Sequence, residues 1–216
     1  MTINPGQGKT LLDLSPAPND PIVTKILRSI AGIPREIYSP SDDSFLMLDA
    51  LSKIPVKGKE VLDIGTGSGI LALFCALHGA QVTATDIDEK TLDQVQRSAR
   101  SLGVTLRVSL SDLFENIPAQ FDLIMFNPPY LPSTTTEDMT IDGGKQGKAL
   151  AERFLEDLGA HLKKDGSALL LLSNASNPDS LAETHSHFEF STVASRALFF
   201  EELSVLLLRF GDDPVR

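Results

Sequence analysis

Two groups of residues in this sequence have the types and spacing for chemistry. The first is Asp63-Ile64-Gly65-Thr66-Gly67-Ser68-Gly69, followed by two further acids, Asp86 and Asp112. Glycines spaced this way allow a tight turn and let a ligand approach the backbone, and the helix that follows offers unpaired N–H groups. The spacing is G-x-G-x-G, and Ile70 stands where the usual dinucleotide fingerprint has its last glycine. Asp63 lies inside an apolar run, and a buried carboxylate needs a partner, which a cationic ligand would supply. Asp86 is placed to accept from the vicinal hydroxyls of a ribose. Asp112 can accept from the exocyclic amine of adenine, with Ile87 and Leu113 as apolar neighbours to sandwich the base. Each acid taken singly reads more often as a helix cap or a solvated loop residue. Three of them at the carboxyl ends of three successive strands describe a nucleoside pocket without the basic group that a phosphate requires.

The second group is Asn127-Pro128-Pro129-Tyr130. It follows the apolar run Phe121 to Phe126, broken only by Asp122. Prolines cannot donate ladder hydrogen bonds, so the strand must stop there. Asn127 is left at the strand's carboxyl end, where open α/β sheets bind ligands. The plain alternative is a Pro-Pro strand terminator.

The elements that must position these residues alternate along the chain. Strands are expected at Glu60 to Ile64, Gln81 to Thr85, Thr105 to Leu110, Phe121 to Phe126 and Ser167 to Leu172. Helices are expected at Ile70 to His78, at Glu89 to Leu102, and along Leu150, Phe154, Leu158 and Leu162. Residues 131–147 read as a long loop. Two late segments, Phe188 to Ala197 and Leu203 to Phe210, have no helix between them and should pair antiparallel. The expectation is an α/β fold: a doubly wound, mostly parallel, seven-stranded sheet with helices on both faces and an antiparallel C-terminal strand pair. Ahead of it, residues 21–33 suggest a short helix. Ser41, Asp42 and Asp43 suit the start of another helix, which runs to about Ile54 and is ended by Pro55. Residues 1–36 read as an N-terminal arm with a short helix, and 37–216 as one domain.

Composition narrows the partners. Of 216 residues 42% are hydrophobic, enough for a sizeable core, and the net charge of −10 disfavours phosphate backbones unless a local basic patch intervenes. The lone Cys75 cannot form an internal disulfide and sits in an apolar helical pattern, which fits a buried thiol in a reducing compartment. No stretch is long enough to span a membrane and no signal peptide is evident, so a cytoplasmic protein is expected. Gly6-Gln7-Gly8-Lys9-Thr10 imitates the end of a phosphate-binding loop, but Ile3 stands where the full pattern needs a glycine. His185 and His187 invite a metal reading; with no third ligand in view they are expected to be solvated.

Taken together, Asp63, Gly65, Gly67, Gly69, Asp86 and Asp112 resemble the cofactor motifs of class I S-adenosylmethionine-dependent methyltransferases, a Rossmann-like fold. The resemblance implies S-adenosylmethionine as cofactor. Asn127 to Tyr130 is similar to the motif of members that methylate a planar nitrogen. In that reading the Asn127 side-chain oxygen and the Pro128 carbonyl accept the two N–H bonds, and Tyr130 stacks on the planar group. Tyr38-x-Pro40-x-x-Asp43-Ser44-Phe45 and Gly143-Gly144-x-x-Gly147 extend the likeness to HemK-type protein-glutamine methyltransferases. So does Glu202-Leu203-Ser204-Val205-Leu206, which resembles their compact archaeal and eukaryotic branch. The resemblance implies that Tyr38, Pro40, Ser44, Thr66 and Asn127 also meet the cofactor, that Ser44 does so near its amino-acid end, and that Leu113 adds a backbone contact to adenine. It implies a protein substrate, a peptide chain release factor with a Gly-Gly-Gln motif. It also implies a small activator subunit on the third strand, an edge strand with Leu106, Val108 and Leu110 inward and Thr105, Arg107 and Ser109 outward. Ile141-Asp142 departs from the small or aromatic pair expected before Gly143. Adenine-N6 methylation of RNA or DNA and methylation of protein lysine are the alternatives.

Overall fold

The computed structural model describes residues 20–34, 36–128, 145–198 and 202–211. The start of the N-terminal arm with its Gly6–Thr10 decoy, Pro129, Tyr130, and the Gly143-Gly144 pair lie outside the described residues.

The chain opens with α1 (Pro21–Ser29) and α2 (Asp42–Leu51). It then alternates through β1 (Glu60–Ile64), α3 (Ile70–Leu77), β2 (Gln81–Asp86), α4 (Glu89–Leu102), β3 (Arg107–Leu110) and β4 (Phe121–Phe126). After α5 (Lys145–His161) come β5 (Leu162–Ser173), α6 (Pro178–Thr184), β6 (Phe188–Ala197) and β7 (Glu202–Phe210). The seven strands lie in the order β3-β2-β1-β4-β5-β7-β6. The pairs among β1 to β5 are parallel; β7 runs antiparallel to β6, as expected, and to β5 as well.

The sheet holds because its central strands are apolar on both faces. Val61, Leu123, Met125, Leu169 and Leu171 face one core with α1, α2, α3 and α4. Leu62, Ile64, Ile124, Phe126, Leu170 and Leu172 face the other with α5. Successive residues of a strand point to opposite faces, so near-continuous apolar runs belong to strands covered on both sides. Asp20 caps α1 by accepting from Ile22 N–H at 2.7 Å, and Pro21 follows at its first turn. Val23 and Ile26 of α1 and Ile30 just beyond it enter the first core.

The chain builds outward from β1 to β2 to β3, then restarts on the other side with β4. The carboxyl ends of β1 and β4 therefore diverge at a switch point, where such sheets bind ligands. The glycine turn leaves one of these ends and Asn127 the other.

Some expectations differ from the structure, and one element, α6, was not anticipated. Leu110 is 51% exposed instead of facing the core. It pairs with Asp86, the last residue of β2, and so sits at the rim of an edge strand, while Leu106 and Val108 do pack inward. The helix α5 begins at Lys145, inside the stretch 131–147 expected to be loop. The seven-residue α6 has too little periodicity to be read from sequence. Its turn into β6 tucks His185 inward, to 7% exposure, leaving His187 outside. Burial, and then His187, hold the His185 imidazole below its usual pKa. No group of three metal-ligating side chains occurs among the described residues.

Candidate active site

On one side of the switch point, the turn after β1 reverses the chain through three left-handed glycines, Gly65 (φ 60°), Gly67 (φ 50°) and Gly69 (φ 78°). At Gly69 packing adds to the conformational demand: a Cβ there would lie 2.8 Å from Val95 Cγ2 on α4. At Gly67 the backbone runs against Tyr38, whose Cβ would lie 3.4 Å from an added methyl group. Asp63 lies beneath the turn, 2% exposed, and accepts from Thr66 Oγ1 at 2.7 Å. One partner of this buried carboxylate is thus a hydroxyl of the turn itself. Burial pushes its pKa up to about 7; the Thr66 bond opposes the rise and the charge of Asp86 adds to it. Asp86, at the end of β2, spans the turn. Its Oδ2 accepts from Gly67 N–H and its Oδ1 from Asp88 N–H, both at 3.1 Å, and burial raises its pKa as well. A carboxylate has more acceptor sites than these bonds use, so it can still accept from a hydroxyl donor.

The adenine-side candidates are spread more widely. Ile87 is 59% exposed and available to a ligand. Leu113 is not equivalent to it: its side chain is buried with Phe114 and Ile117, and its φ is 48°. What Leu113 can present is its backbone. Asp112 is ion-paired at 3.0 Å with Arg153 of α5, both side chains being about half exposed. Cys75 lies in the core, where burial pushes its thiol pKa up and keeps it inert.

On the other side, Asn127 and the buried Pro128 follow β4. The Asn127 amide nitrogen donates at 2.9 Å to Asp43 Oδ2. A carboxylate only accepts, so this bond fixes which end of the amide faces which way. The Asn127 Oδ1 then points elsewhere, shielded from solvent and with no hydrogen-bond partner. Leaving a buried acceptor unpaired costs about 1–3 kcal/mol, and such atoms cluster where a ligand completes them.

Asp43, 1% exposed, is the hub of this side. It accepts from Tyr38 Oη and Ser41 Oγ at 2.7 Å, from the Ser44 N–H, and from Ser44 Oγ at 3.1 Å. Ser44 also completes a capping box with Ser41 at the start of α2. Tyr38 and Ser44, expected to meet a cofactor, are thus both tied to Asp43, and Pro40 is buried beside them in the sequence. Sequence reasoning gave Asp43 only a helix-dipole role. Its neighbour Asp42 pairs at 2.9 Å with Arg196 of β6, so the start of α2 reaches from the end of β4 to the far edge of the sheet.

Parallel strands that reverse order at β1 and β4, closed by an antiparallel β7, are the architecture of class I S-adenosylmethionine-dependent methyltransferases. The residues fit that cofactor, because the glycine turn is bordered by Asp63 and Asp86, and neither is ion-paired among the described residues. That surrounding suits a sulfonium nucleoside better than a phosphate. The chain is 36% identical over 180 residues to a putative protein N5-glutamine methyltransferase of Methanocaldococcus jannaschii, covering 79% of this chain and 90% of the relative. Its fold is similar to E. cuniculi Mtq2–Trm112, a complex described as responsible for methylation of the eRF1 translation termination factor. That match has TM-score 0.67 and 23% identity, over 82% of this chain and 99% of that one. It is also similar to the T. thermophilus 16S rRNA N2 G1207 methyltransferase RsmC, solved with AdoMet and guanosine. There the TM-score is 0.63 and the identity 25%, over 80% of this chain and 44% of that one. The methyltransferase small domain model matches residues 41–199. The chain belongs to this methyltransferase family, among its HemK-type members, and S-adenosylmethionine is its cofactor. No helix among the described residues is long and apolar enough to cross a membrane.

Proposed function

We propose that this enzyme methylates the side-chain amide nitrogen of a glutamine in a protein, of the Gly-Gly-Gln type found in peptide chain release factors. The observation that carries the reading is the unpartnered, buried Asn127 Oδ1, held in orientation by Asp43. A primary amide offers two N–H bonds in one plane. Asn127 Oδ1 accepts one and the Pro128 carbonyl the other, which fixes the nitrogen and raises its electron density. Tyr130, next in the tetrapeptide, stacks on the planar group. Asp86 and the backbone of the Gly65–Gly69 turn hold the nucleoside end of the cofactor, with Asp112, Ile87 and Leu113 at its base. Tyr38, Pro40, Ser44, Asp63 and Thr66 support its amino-acid end. Bound there, S-adenosylmethionine would supply the methyl group and leave as the thioether; the amide nitrogen held by Asn127 and Pro128 would take the methyl and release one proton to solvent.

The named relatives support a protein substrate, and the chain's acidity supports protein over nucleic acid. Residues 37–216 form the catalytic domain in this reading, and 1–36 an arm. The β3 edge, with Leu110 and Ile87 exposed beside it, is where a small activator subunit would pair. The enzyme acts in the cytoplasm, where release factors work.

The deciding experiment incubates the protein with S-adenosylmethionine and three acceptors: a Gly-Gly-Gln peptide domain, its Gly-Gly-Lys counterpart, and an adenine-containing RNA. Each is tested with and without a Trm112-type protein. Mass spectrometry should place one methyl group on the glutamine alone. Methylation of the lysine or the adenine, with glutamine unmodified, refutes the reading.

A further inference from the structure

An asparagine amide has two orientations that differ by exchange of its oxygen and nitrogen, with almost the same shape. Only one presents an acceptor to an incoming N–H; the other presents hydrogens that repel it. The tetrapeptide alone does not choose between them. Asp43 does. Four donor residues converge on its carboxylate: Tyr38, Ser41, Ser44 and Asn127. None of the ion pairs among the described residues involves it. It is therefore a buried acid held by neutral donors, and the Asn127 amide is one of them. That bond spans 84 positions of sequence and closes the gap between α2 and the end of β4.

We propose that Asp43 is a positioning residue, whose carboxylate sets the polarity of Asn127 so that Oδ1 faces the acceptor nitrogen. This rests on the amide reading above. The convergence of donors makes the inference specific. An amide at position 43 has one oxygen for four donor residues, and its own NH2 must then find an acceptor. The Ser44 N–H keeps the oxygen in the place of Asp43 Oδ1, so the NH2 takes the place of Asp43 Oδ2; there the Tyr38 hydroxyl can turn to accept, but the Asn127 NH2 cannot, so Asp43→Asn turns Asn127 around and leaves its NH2 toward the substrate.

A reversed pair tests this. In Asn127→Asp two carboxylates face each other. In Asp43→Asn/Asn127→Asp the new amide donates to the new carboxylate, whose second oxygen takes the outward place of Oδ1. The total charge of the pair is unchanged. Each single variant should lose about 100-fold or more in kcat/KM for the glutamine substrate, the scale of losing one oriented group at a reacting centre. The double variant should recover at least about tenfold over either single, because the two effects act through one bond. Denaturant unfolding of the three variants without substrate or cofactor supplies a readout independent of turnover. The double should again be more stable than additivity of the singles allows. Cases in which a single fails to fold while the double folds report the same coupling. Asp43→Asn at the parent rate, or a double no better than the worse single in both assays, overturns the proposal. If the parent enzyme leaves glutamine unmodified, the amide reading fails. The unfolding cycle then still judges whether Asp43 and Asn127 are coupled.

Discussion

Replacing Asp63 by asparagine isolates the energetic cost of keeping a carboxylate under the glycine turn. Asp63 is 2% exposed, and burial raises its pKa from 3.8 to about 7 in the folded protein. Between these values the folded protein holds a proton that the unfolded chain has released. Stability from this group is therefore fully present below about pH 3.8 and declines as pH rises, until it is lost above about pH 7. The rise corresponds to about 4 kcal/mol across the window, an upper figure because water penetration and relaxation reduce such costs. Asp63→Asn does not titrate, and its oxygen can still accept from Thr66 Oγ1, which stands at 2.7 Å. The variant should equal or fall slightly below the parent near pH 4 and exceed it by about 2–4 kcal/mol near pH 8. Denaturant unfolding of both proteins from pH 4 to 8, without cofactor, measures the difference. A stability difference that stays flat with pH would refute the assignment of a raised pKa to Asp63. A difference that grows as pH falls would refute its sign.

Asp86→Ala should weaken S-adenosylmethionine binding by about 1.5–3 kcal/mol, the range for hydrogen bonds to a charged group. Calorimetry showing unchanged affinity in a folded variant would remove Asp86 from the site. Asn127→Ala should lower turnover about 100-fold or more and change cofactor affinity little, since the glycine turn and its acids stay in place. Near-parent turnover in single-turnover assays would contradict the role given to Oδ1. Leu110→Glu should abolish pairing of a Trm112-type subunit in size-exclusion chromatography while leaving the melting temperature nearly unchanged, because Leu110 is 51% exposed. Retained binding would move the partner away from β3.

The expectations that succeeded rested on local signals. Alternating strands and helices, the three glycines and the Pro128-Pro129 stop act within a few residues, and β1, α3, α4 and β4 lie where that pattern placed them. Signals failed where a residue's meaning depends on something distant or small. The helix α6 turns on Asn177 in a left-handed conformation (φ 52°) and buries Leu181, too little for a periodicity to form. His185 looked solvated because the helix that tucks it inward was not visible. Leu110 followed the alternation of an inward face, yet its strand is at the edge and its neighbour ends at Asp86. Asp112 has a partner that its place after β3 does not announce, Arg153, 41 positions later, in a pair that stays about half exposed. Asp43 is the clearest case. Beside Ser41 and Asp42 it looked like an ordinary acid at a helix start, which locally it is. Its distinguishing property is that four donor residues, one of them 84 positions away, converge on it where the start of α2 is buried. The residues that can do chemistry were legible because chemistry restricts residue type. Orientation was not, because an amide reads identically in sequence whichever end faces the substrate. Only the contact between the start of α2 and the end of β4 decides between them, and that contact is a product of the strand order, not of the tetrapeptide.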